Sequence, residues 1–267
     1  MEKRLIGRGL LAGAIGAVLA FIFARVCAEP VIARAIAFED GRTDAENAHG
    51  VHEHGVELFT RGVQSNAGLG FGVLIFGLAM GALYAVLFCV VYARAAGRVE
   101  SVGPRQLSLL LAAVAFVSVY LVPFVKYPPN PPAVGQSDTI GARTGWYLVI
   151  VLASVVLAIA AVWSARRLAD RFGEWNGRLL AAGAYLVSVA VVMVLLPTVD
   201  ETPEPLRDAS GAIIYPGFPA DVLYEFRLLS LGAQLLLWVT IGLVFATLAG
   251  RLLGERAKSG QVSSIAA

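Results

Sequence analysis

The chain has 267 residues, 58% hydrophobic and 15% charged, with a net charge of +2 and a mean hydropathy of +0.73. Soluble domains carry about 25% charged residues, so the composition excludes an ordinary soluble fold; the small net charge implies nothing about nucleic acid, and none is expected as a partner. The two cysteines, Cys27 and Cys89, lie in or beside apolar runs with no C-x-x-C spacing, which argues against a disulfide framework and for inert buried thiols.

Charged residues cluster in short stretches separated by apolar runs of about 20 residues, the length that crosses a hydrocarbon core of roughly 30 Å. A spanning segment must satisfy its own backbone, so each run is expected to be a helix. The expected spans are 6–28, 69–92, 107–125, 146–165, 178–197 and 229–250. The fold class is therefore an all-α membrane protein, a polytopic bundle of six transmembrane helices. One transmembrane domain covers 1–258, a polar loop covers 31–66, and 259–267 reads as a short disordered tail.

The first run has a rival reading. Lys3 and Arg4 precede an apolar core, and Val26-Cys27-Ala28 resembles a signal-peptide cleavage site. The apolar stretch is long for a signal, and Arg25 interrupts the cleavage region, so an uncleaved span is the expectation. Gly9, Gly13 and Gly16 in this span, and Gly77 and Gly81 in the second, would let helix backbones approach closely. Gly77-x-x-x-Gly81 fits a G-x-x-x-G spacing, which Gly-rich spans also produce by chance.

Basic residues set the expected orientation. With the N-terminus inside, 13 of them fall on the inner side (Lys3, Arg4, Arg8, Arg94, Arg98, Arg105, Arg166, Arg167, Arg171, Arg178, Arg251, Arg256, Lys258). Seven fall outside (Arg34, Arg42, Arg61, Lys126, Arg143, Arg207, Arg227), and Arg25 sits in the first span. This bias predicts N-in and C-in. Of the 19 acidic residues, 14 fall on the outer side, and such a surface would concentrate cations.

The expected outer loop 31–66 holds all three histidines, His49, His52 and His54, with Glu46 before them, Glu53 between and Glu57 after. Imidazole and carboxylate together suit divalent transition metals. The candidate metal ligands are His49, His52, His54, Glu53 and Glu57. Gly50 and Gly55 make the loop flexible, which suits capture and hand-off better than a four-ligand structural site. The same run also reads as a solvated polar loop.

Charges near membrane depth give pathway candidates. Arg25 and Glu29 are four residues apart near the end of the first span and could pair. Asp200 and Glu201 follow Pro197 where the fifth span ends. Each expected outer loop opens with a proline (Pro30, Pro123, Pro197) and closes with an arginine (Arg61, Arg143, Arg227), a pattern consistent with three helical hairpins. The prolines of Tyr127-Pro128-Pro129-Asn130-Pro131-Pro132 forbid helix and impose extended backbone, so the segment from Tyr120 onward should break the third helix and form either a stiff connector or a vestibule wall. Gln234 is a lone amide inside the sixth span, read as helix–helix glue.

No catalytic set is visible. The chain has no phosphate-binding G-x-x-x-x-G-K-[ST], no H-E-x-x-H and no G-x-S-x-G. The expectation is a non-enzyme without a resident cofactor.

Several strings are distinctive. They are Lys3-Arg4-Leu5-Ile6-Gly7-Arg8-Gly9, Phe23-Ala24-Arg25-Val26-Cys27-Ala28-Glu29-Pro30, Gly62-Val63-Gln64-Ser65-Asn66-Ala67-Gly68, Tyr127-Pro128-Pro129-Asn130-Pro131-Pro132, Leu196-Pro197-Thr198-Val199-Asp200-Glu201-Thr202-Pro203 and Phe218-Pro219-Ala220-Asp221. Together with the His/Glu loop they resemble the CbtA family of predicted cobalt transporter subunits, over nearly the whole chain. The resemblance implies a multi-pass protein of the bacterial inner membrane that moves Co²⁺ or a similar divalent metal, with a small single-span CbtB-like partner. It implies no ligand set. A membrane accessory or sensor that binds metal without translocating it is the alternative, and an intramembrane enzyme a third.

Overall fold

The computed structural model describes residues 2–49, 68–95, 103–131, 134–135 and 137–265. Helices dominate. They are α1 (Glu2–Phe23), α2 (Glu29–Ala48), α3 (Leu69–Ala95), α4 (Pro104–Ala115), α5 (Val122–Lys126), α6 (Ser137–Phe172), α7 (Glu174–Leu195) and α8 (Ala220–Ile265). A π-helical turn, Ala24–Ala28, joins α1 to α2, and another, Phe116–Leu121, joins α4 to α5. Two short strands, β1 (Leu206–Arg207) and β2 (Ile213–Tyr215), pair antiparallel. Among the described residues six helices are long and apolar enough to cross a membrane: 2–48, 69–94, 104–126, 139–172, 174–195 and 220–254. Each expected span coincides with one of them.

The helices outrun the expectations in informative places. Residues 31–48, expected as loop, are helical, because Pro30 does not end the first helix. Pro123 does not end the third. A proline inside an α-helix removes one hydrogen bond and clashes with the carbonyl four residues back. Here each proline stands two residues after a π turn and opens the following helix at N1 or N2, where its missing N–H is not required. The helix therefore passes both prolines. It ends instead at Tyr127, before the Pro128-Pro129 pair. The third proline behaves as expected, since α7 stops at Leu195 and Leu196 is extended (ψ 142°) ahead of Pro197. Backbone helix also continues through 259–265, expected as a tail.

The chain divides into two compact units. The first comprises residues 1–27, 57–114 and 232–267. In it α1 and α3 run antiparallel at backbone contact. A Cβ built on Gly13 would lie 2.1 Å from the Gly77 carbonyl oxygen, and one on Gly81 would lie 2.2 Å from that of Gly9. The glycine spacing read as weak in the sequence is thus the contact surface itself, as expected where lipid gives no hydrophobic drive for association. Gly16 meets Leu237 and Ile241 of α8, and Gly242 of α8 meets Ala112 of α4. At the centre Phe88 stacks with Tyr92 and meets Phe245 edge-on. The buried Tyr84 hydroxyl donates to the Ser108 carbonyl at 2.5 Å, and Ser108 Oγ donates to Gly242 O at 3.3 Å. Each hydroxyl thus has a partner in an apolar interior, where an unpaired one is costly. Gln234 Oε1 is buried with no partner among the described residues. Cys27 and Cys89 are free and half-buried rather than fully buried.

The second unit comprises residues 28–56 and 115–231. α6 and α7 form a tight hairpin turned by Gly173 at φ 82°, where a side chain would be strained. Gly177 packs on the Ala169 backbone. Val122, Tyr127, Ile150 and Val189 form one buried cluster. Val31, Ala35 and Phe38 of α2 form another with Val134, Phe218 and Val222. Arg34 of α2 pairs with Glu225 and, at 3.7 Å, with Asp221 on the first turns of α8. Tyr215 Oη donates to Phe38 O at 3.0 Å, and its hydroxyl fills the space beside Gly41. These contacts seat α2 against the β-hairpin and the start of α8. Its Glu39 is left at a cavity.

Candidate functional site

Two of the distinctive strings meet in the second unit. The segment Tyr127–Pro131 lies against the chain that leaves α7 at Leu196. Tyr127 Oη donates to Pro197 O at 2.7 Å, and burial pushes the Tyr127 phenol pKa up. The proline backbone offers carbonyls but few N–H groups, so its partners must be donors. Two arginines supply them. Arg143 Nη2 donates to Pro128 O at 2.5 Å. Arg227 donates to Pro129 O at 3.4 Å and to Asn130 Oδ1 at 3.1 Å.

Glu201 is the centre of this network. Its side chain is 1% exposed and pairs with Arg143 at 2.5 Å. Thr139 Oγ1 donates to Oε1 at 2.6 Å, and Asn130 Nδ2 donates to Oε2 at 3.1 Å. A buried carboxylate is tolerable only when charge and lone pairs are both satisfied, and here three side chains do so. Each oxygen has at least one partner, which holds the two loops together.

Asp200, its neighbour, is placed differently. It is exposed and accepts the Thr202 N–H at 3.0 Å. Hydrogen bonds from the Thr202 backbone and hydroxyl, with the Arg227 charge adding, hold its carboxyl below the usual range. The two acids expected together at an entrance thus do different things.

Beside Glu201 opens a cavity of about 640 Å³. Its walls include Tyr120, Phe124, Tyr127 and Tyr147, with Glu39 on one side and the Arg143–Glu201 pair on another. The proline segment contributes Pro129 and Pro131, so it does line a cavity.

The remaining candidates fall as follows. His49 ends α2, with Nδ1 2.8 Å from Ala45 O; if that nitrogen donates, Nε2 keeps the lone pair a metal would use. Glu46 is engaged by Arg42 at 3.1 Å. His52, His54, Glu53 and Glu57 lie outside the described residues. Arg25 lies in the first π turn, and Glu29 opens α2 four residues later in the same continuous helix. Among the described residues no group of three or more His, Cys, Asp or Glu is placed to hold a metal. Sequence reasoning missed Asn130, Thr139 and Glu39. Arg143 and Arg227 stood out only as arginines closing loops, a signal that gave no hint of their shared target.

The six membrane-length helices define a multi-pass membrane protein. The particular family follows from the sequence. The model of the family described as "Probable cobalt transporter subunit (CbtA)" matches residues 2–250, and the chain belongs to that family. Neither a curated protein nor a solved structure matches it.

Proposed function

We propose that this chain is the membrane-embedded subunit that carries Co²⁺ or a similar divalent ion inward. The observation that carries the reading is the family match over residues 2–250, on a chain whose described helices include six of membrane length. The excess of arginine and lysine at one set of loops supports an N-in, C-in orientation in a bacterial inner membrane. The His/Glu segment, with His49, His52, His54, Glu53 and Glu57, then faces outside and captures the ion. Asp200 adds negative field on the same side of the membrane. Glu201 keeps the loops in place, and Arg25 and Glu29 mark the pathway's margin. A single-span CbtB-like chain completes the transporter.

Radiolabelled Co²⁺ uptake into proteoliposomes, with and without the chain and competed by Ni²⁺ and Zn²⁺, tests this. Metal binding without accumulation would instead identify an accessory or sensor protein.

A further inference from the structure

The cavity beside Glu201 has a chemistry of its own. Its charged walls are Glu39, Arg143 and Glu201. Arg143 and Glu201 cancel each other at 2.5 Å. Glu39 has no ion-pair partner among the described residues, so the described walls carry one uncompensated negative charge. The other polar groups on its walls are hydroxyls: Tyr120, Tyr127, Tyr147 and Thr144. Among the described residues no imidazole or thiol lines it, so those residues lack the ligands that would strip water from a cobalt-type ion.

Size agrees with this. A water occupies about 30 Å³ of liquid, so six waters around an ion take roughly 180 Å³. The cavity has about 640 Å³, ample for a hydrated ion and far too much to grip a bare one. The tyrosine and threonine hydroxyls on its walls can accept hydrogen bonds from the outer faces of bound water.

We propose that this cavity holds a divalent cation with its first water shell intact, anchored on the Glu39 carboxylate. The proposal rests on the reading of the chain as a carrier of such ions, and it makes the chamber a staging point where the ion is concentrated without dehydration.

Hexaamminecobalt(III) tests it, because its ammine shell does not exchange and it can bind only through that shell. Binding to the full chain in nanodiscs is measured by calorimetry, with Co²⁺ as competitor. The expected result is one site at which the complex and Co²⁺ compete, weakened about tenfold in Glu39→Gln by loss of the anchoring charge. Gly135 supplies a second variant that leaves the charges alone. A Cβ built there meets nothing within 4 Å, so Gly135→Phe should fill the chamber and weaken binding without disturbing packing. Asp170→Asn, exposed near the far end of α6, should leave binding unchanged. Competition absent in wild type, or equal binding by wild type and Glu39→Gln, would overturn the chamber. Uptake is measured on the same preparations. Uptake without hexaammine binding removes the chamber and keeps the carrier; binding without uptake does the reverse.

Discussion

Arg143 and Glu201 meet at 2.5 Å across 58 residues of chain, and the same arginine holds the Pro128 carbonyl with its other terminal nitrogen. One guanidinium therefore ties together the start of α6, the proline segment and the chain after α7. Removing one partner of such a pair costs about 3–5 kcal/mol, because the other charge stays buried and unpaired. Glu201→Ala should lower the melting temperature of the purified protein clearly. Glu201→Gln should lower it less, since its amide still meets Thr139. Arg143→Lys keeps the charge but not the fork, and should fall between them. Equal melting temperatures for all four proteins would remove the latch role.

The α1–α3 contact makes a sharper contrast. Gly13→Ala places a methyl 2.1 Å from the Gly77 oxygen, so the helices must part. Gly72 has nothing within 4 Å of its added Cβ. Gly72→Ala should be neutral or stabilise by up to about 1 kcal/mol from helix propensity. Thermal unfolding in matched detergent reads the difference, and similar behaviour of the two variants would argue against the close packing.

Acid should loosen the β1–β2 hairpin in a defined window. Asp208 accepts hydrogen bonds from Ser210 Oγ at 2.6 Å, Ser210 N at 2.9 Å and Ala212 N at 2.9 Å. The Ser210 hydroxyl first, and the turn's backbone N–H groups with it, hold its pKa below the ordinary 3.8. A depressed carboxylate contributes stability that is complete above the unfolded value and is lost as pH falls through the folded one. Amide protection factors in residues 206–215, corrected for intrinsic exchange, should therefore be flat from neutral pH to about 5 and drop below about 4. Asp208→Asn should weaken protection at neutral pH and flatten the acid response.

The histidines make a prediction about transport. Replacing His49, His52 and His54 with Ala should raise the Co²⁺ concentration for half-maximal uptake and leave the maximal rate nearly unchanged. Only neutral imidazole ligates, so lowering external pH to about 5 should mimic the variant. Normal uptake by the triple variant at limiting Co²⁺ would reduce the segment to solvated surface.

Orientation is open to direct measurement. In a variant lacking Cys27 and Cys89, Arg171→Cys should resist a membrane-impermeant thiol reagent in intact cells and react after permeabilisation. Labelling without permeabilisation would invert the topology.

Hydropathy made the six spans legible because a hydrocarbon core imposes length and composition on whatever crosses it. The segment 31–48 was not legible as helix. It is rich in charge, and a proline stands at its start, so local rules favour loop; the packing of Val31, Ala35 and Phe38 outweighs them. Glu201 was visible as an acid near a span's end, yet its burial was not. Its partners Asn130, Thr139 and Arg143 are 58 to 71 residues away, and no local pattern reports contacts at such separation. The glycines of α1 and α3 were visible as a spacing, but only the pairing of two helices shows that they touch.

The proline segment has one more consequence. Pro128, Pro129, Pro131 and Pro132 have no N–H to donate. Between Pro128 and Pro131 only Asn130 keeps a backbone N–H, too few donors to complete a ladder with a strand from another molecule. Tyr127–Pro131 is buried or half-buried, so it lines the cavity without offering a template for intermolecular β-pairing. Replacing these prolines with ordinary residues would restore the missing donors and turn a rigid wall into a sticky edge.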